Sequence, residues 1–141
     1  MVEQVKAIIS KNLPLVTNLS NVSAVLNLME NLNWCGFYLT NNDTLYLGPF
    51  QGEVACTVIK KGHGVCGECL ERKETIIVDD VLSYPNHIAC SSKSRSEMVV
   101  PIMKNNECVA VIDLDSPIYN RFKEKEKLVV EEISKILSEL F

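Results

Sequence analysis

The sequence has no long hydrophobic run. Its start, MVEQVKAIISKN, contains no apolar stretch of signal-peptide length, and no later segment approaches the length of a bilayer span. A cytoplasmic chain with reduced thiols is therefore the expectation. Positive charge is not in excess either: 14 Lys and Arg against 18 Asp and Glu leave a net charge of −4. That balance argues against non-specific nucleic-acid binding, which needs clustered basic residues. Repeats, low-complexity segments and linkers are absent, so 1–141 reads as one domain. With 47% hydrophobic residues, the chain can build a core without disulfides or metal.

Cysteine, by contrast, is plentiful. There are six, and four fall between Cys56 and Cys90, in the strings EVACTV, GVCGEC and HIAC. In a reducing compartment thiols more often carry redox chemistry or bind metal than form structural staples.

The hydrophobic pattern predicts α+β. Val2, Val5, Ile8 and Ile9 have helical spacing, and Ser20 is a candidate cap for a second helix carrying Val22, Val25, Leu26 and Met29. NWCGFYLT and TLYLGPF form a hairpin around Asn41–Asn42–Asp43, and ACTVIK (55–60) and TIIV (75–78) are short strands. Gly62, Gly64 and Gly67 mark a tight loop before a short helix around Cys69–Arg72. The stretch 79–96 is long and irregular, as functional loops often are. A second hairpin turns at Asn105–Asn106, and the last segment is helical. Terminal helices packed in layers on a central antiparallel sheet follow.

Strand alternation sorts the chemistry. Val111, Asp113 and Asp115 share one face of VAVIDLD, Glu97 and Val99 share one face of EMVV, and Trp34, Gly36 and Tyr38 share one face of WCGFYL. The acids either mark a solvent-facing strand end or meet the aromatics in a cavity for a small cation or zwitterion. The cysteines have two readings as well. Cys66, Cys69, His87 and Cys90 have the composition of a Cys3His zinc module, while Cys66-x-x-Cys69 alone could be a dithiol. Cys35 and Cys108 lie in strand patterns and read as core residues.

Taken together, NWCGFYL, LGPFQGEVAC, GVCGEC, HIAC, SRSEMVVPI and VIDLDSP resemble the free-methionine-(R)-sulfoxide reductases, enzymes of the GAF fold. The resemblance implies reduction of free L-methionine (R)-sulfoxide without a cofactor or a metal. It implies Cys90 as the attacking thiolate, Cys56 as the resolving thiol and Cys66 as a third active-site cysteine. It further implies Glu97, Asp113 and Asp115 as acids for the substrate, Trp34 and Tyr38 as its aromatic wall, thioredoxin as reductant, and dimerisation through the terminal helices. Departures are Ser91, where the family usually has an acid, and the extra thiols Cys35 and Cys69. A non-catalytic GAF sensor of small ligands is the remaining alternative.

Overall fold

The computed structural model describes residues 1–88 and 90–141. Six strands form one antiparallel sheet in the order β3-β2-β1-β6-β5-β4. They are β1 (Trp34–Asn41), β2 (Thr44–Gly52), β3 (Val58–Lys60), β4 (Ile76–Val78), β5 (Ser96–Lys104) and β6 (Glu107–Ser116). The helices are α1 (Val2–Ile8), α2 (Leu15–Leu26), α3 (Gly64–Arg72) and α4 (Glu124–Ser138). The fold is α+β, as the sequence pattern predicts.

Both long hairpins turn on residues that tolerate positive φ, Asn42–Asp43 and Asn105–Asn106. Period-2 alternation then gives the sheet two apolar faces. Cys35, Phe37, Met98, Val100, Ile112 and Leu114 pack against α1, α2 and α4. Trp34, Tyr38, Val99 and Val111 point the other way, toward α3 and the long loop. One irregularity changes the count. Ile102 pairs with Ala110 but Met103 pairs with Cys108, so Val109 is bulged out of register. The bulge moves Cys108 onto the α3 side, where it is buried as a core residue.

Three boundaries differ from the sequence reading. Helix α2 begins at Leu15, just after Pro14, because Leu15, Leu19, Val22 and Leu26 continue one stripe. Ser20 is therefore not a cap; it sits mid-helix and its hydroxyl donates to the Val16 carbonyl at 2.7 Å. Met29 lies beyond the helix end. The third strand is only Val58–Lys60, since the chain leaves the ladder before it and Cys56 is disulfide-bonded to Cys90. Helix α3 starts at Gly64 rather than near Cys69, so two of the three glycines read as loop are helical. Gly67 explains why: a Cβ there would lie 2.3 Å from the Lys60 carbonyl oxygen. Only glycine lets this helix seat so close to β3, and that seating turns Cys66 toward the sheet.

Candidate active site

Register across three strands builds the floor of a pocket. Trp34 of β1 pairs with Asp115 of β6, which pairs with Glu97 of β5. The next row is Gly36, Asp113 and Val99. Trp34, Tyr38, Cys66, Glu97, Asp113 and Asp115 all line one cavity, with Cys90 at its wall. The cavity is small, with about 50 Å³ of internal space. Of the two readings of the acids, the cavity is the one found. Glu97 and Asp113 are buried, and Asp115 is half-buried.

Burial raises the pKa of all three acids, most strongly for Glu97 and Asp115, which also feel the charge of Asp113. Burial raises Asp113 as well, opposed by hydrogen bonding with Glu97 and Cys66. Such a cluster retains a proton above the ordinary carboxylate range. Among the described residues, Asp113 Oδ1 is buried and finds no hydrogen-bond partner. A buried acceptor in that condition is costly and is matched to a donor or cation arriving from outside. Burial, then the charge of Asp113, also pushes the Cys66 thiol well above its usual range.

The aromatic residues form the side wall and hold the neighbouring loop. Trp34 stacks with Phe50 at 5.3 Å and with Tyr38 at 5.9 Å between ring centroids. The indole Nε1 donates to the Glu53 carbonyl at 3.1 Å, and the Tyr38 hydroxyl donates to the Cys56 carbonyl at 2.8 Å. Both anchors therefore fix the segment that carries Cys56. Gly36 permits the stack: a Cβ there would lie 2.3 Å from the Phe50 Cβ.

Cys56 and Cys90 form a disulfide with a Cα–Cα distance of 5.6 Å, and both residues are half-buried. It ties the loop before β3 to the long loop before β5. A second cross-link between these loops is the exposed Lys93–Glu53 ion pair. The long loop is also held to α3. Asn86 Nδ2 donates to the Gly62 and Gly64 carbonyls, each at 3.2 Å, and the Tyr84 hydroxyl donates to Glu68.

The Cys3His grouping is not assembled. Cys90 is bound to Cys56, and Cys69 is fully buried with its thiol directed at the Val99 carbonyl. Cys69 packs in the core beside Val99 and Val111; its burial pushes the thiol far up. His87 instead lines the cavity, and burial lowers its pKa. Cys35 is buried on the opposite sheet face, with its thiol pushed up to about 12. Residues that sequence reasoning does not single out are Phe50, behind the indole, and Asn33, which donates to Ser94 at 3.1 Å beside the mouth. Phe50 lies in the LGPFQG string, but only the pairing of β1 with β2 reveals its partner.

No helix among the described residues is long and apolar enough to cross a membrane. The GAF domain signature matches residues 13–139. A free methionine-R-sulfoxide reductase of Saccharomyces cerevisiae is 45% identical over 132 residues, 87% of this chain and 73% of the relative. One of Escherichia coli is 39% identical over 128 residues, 87% of this chain and 78% of the relative. The crystal structure of a free methionine-R-sulfoxide reductase from Neisseria meningitidis in complex with its substrate superposes with a TM-score of 0.95 at 42% identity, covering 99% of this chain and 85% of that one. The chain belongs to the GAF domain family and, within it, to the free methionine-R-sulfoxide reductases.

Proposed function

We propose that this chain reduces free L-methionine (R)-sulfoxide to L-methionine. The observation that carries the reading is the Cys56–Cys90 disulfide beside a pocket of three acids and two aromatic side chains. The names of the relatives and the substrate complex of the Neisseria enzyme support it.

In the reduced protein the Cys90 thiolate attacks the sulfoxide sulfur. A sulfoxide oxygen leaves only when protonated, and the acid cluster around Glu97 retains a proton for that purpose. The oxygen passes to Cys90 as a sulfenic acid, and methionine departs. The Cys56 thiol condenses with the sulfenic acid, forming the disulfide and releasing water. Asp113 and Asp115 bind the substrate ammonium, and Trp34 and Tyr38 contact its methyl end. Cys66 is the third thiol, held as a neutral group next to Asp113. Thioredoxin, a dithiol protein, restores Cys56 and Cys90 by exchange; both being half-buried supports its access. Residues 1–141 act as one cytoplasmic catalytic domain, pairing through the terminal helices, where Val16 and Leu128 are exposed.

A single-turnover experiment tests the scheme. Fully reduced protein should convert about one equivalent of the sulfoxide and lose two thiols, linked between Cys56 and Cys90. Product without loss of those thiols would refute it.

A further inference from the structure

Cys66 of α3, Glu97 of β5 and Asp113 of β6 come from three separate elements, yet one donor atom from each lies within 4.8 Å of the others. All three residues are buried, with 4%, 6% and 5% of their surface exposed. We propose that this trio binds a soft divalent metal ion of the zinc class, and that the ion inhibits the enzyme.

Two observations converge on a cation at this point. The trio offers one sulfur and two carboxylate ligands, a set that zinc accepts at a tetrahedral site with one open position. Asp113 lines the cavity, and its buried Oδ1 has no partner among the described residues. His87 lines the same cavity but stands outside the trio. The site differs from the Cys3His set in the sequence and shares with it only Cys66. Binding is not a redox step. The ion displaces the Cys66 thiol proton and any proton held between the carboxyls, and these pass to solvent. Occupancy takes Asp113, which a substrate ammonium would use; that competition rests on the function proposed above, whereas the site rests on donor geometry alone.

The test uses the protein with its Cys56–Cys90 disulfide formed, so that among the described residues Cys66 is the one free thiol lining the cavity. Titration with cobalt(II) should produce a thiolate-to-metal absorption band that saturates at a single ion per chain. Zinc should displace the band, and binding should release protons. Cys66→Ser should abolish the band. Asp113→Asn, which preserves shape, should weaken cobalt binding about tenfold or more. Cys69→Ala, one turn along the same helix, should leave it unchanged. Absence of the band in the wild-type protein, its survival in Cys66→Ser, or full affinity in Asp113→Asn would each overturn the site. Should Cys66→Ser fail to fold, Asp113→Asn decides. In the reduced enzyme zinc should raise KM for the sulfoxide without lowering kcat; a fall in kcat at fixed KM would overturn the inhibitory role. Cobalt binding in a chain that never reduces sulfoxide would refute the enzyme reading alone, and turnover in a chain with no band would refute the metal site alone.

Discussion

Glu97 and Asp115 are direct cross-strand partners on β5 and β6, so two carboxyl groups face each other on one side of the sheet. Like charges in that position are destabilising, and Asp113 lies within hydrogen-bonding reach of Glu97. Burial and mutual repulsion both favour a partly protonated cluster. The folded-state pKa values of all three acids are raised. Their contribution to stability is therefore complete below the ordinary carboxylate range and is lost as pH rises through the raised values. Thermal midpoints of the ligand-free protein should fall as pH rises above the ordinary carboxylate range. Glu97→Gln should flatten that slope. A midpoint that climbs across the same window would contradict the assignment.

Asp113 should bind the substrate ammonium. Asp113→Asn removes a charge-assisted contact of about 1.5–3 kcal/mol, so KM should rise roughly 10- to 150-fold. The same change removes a buried charge, and the thermal midpoint should hold or rise. An unchanged KM in steady-state assays would remove Asp113 from ammonium binding.

The two disulfide partners should fail differently. Cys90→Ser should abolish turnover. Cys56→Ser should form one sulfenic acid, trapped by a dimedone probe, and then stall. Sustained turnover with thioredoxin in the second variant would exclude Cys56 as the essential resolver.

The Tyr38 hydroxyl holds the Cys56 carbonyl at 2.8 Å. Tyr38→Phe should keep the aromatic wall and release the loop, at a cost of about 0.5–1.5 kcal/mol. Rapid-quench measurements should show slower disulfide formation with sulfenic acid formation little changed. Equal slowing of both steps would place the hydroxyl at the substrate instead.

Cys69 should be a packing residue. Cys69→Ala should lower stability by roughly 1 kcal/mol and leave multiple turnover intact. Loss of recycling in that variant would make Cys69 part of the thiol relay.

Alternation made much of the site legible beforehand. The faces carrying Trp34, Tyr38, Glu97, Asp113 and Asp115 follow from period 2 alone, and the cavity requires only that β1, β6 and β5 be neighbours. Spacing misled where tertiary contact overrides local preference. The glycines of GHGVCG read as a loop, yet Gly67 is helical because β3 passes so close behind it. Cys66-x-x-Cys69 suggests a shared site, and both thiols do face the sheet from one side of α3, but one turn apart Cys66 lines the pocket while Cys69 lies against the Val99 carbonyl. A bulge at Val109 that no pattern announces puts Cys108 on the α3 side. The loop anchors from Trp34 and Tyr38 join residues 19 and 18 positions apart, a relation only the folded chain creates.

The central claim concerns a chiral sulfoxide on a free amino acid. The most direct measurement is a thioredoxin-coupled assay run separately on the R and S diastereomers of free methionine sulfoxide. The account predicts turnover of the R form, none of the S form, and loss of activity in Cys90→Ser. Equal turnover of both forms, or activity that survives Cys90→Ser, would contradict it.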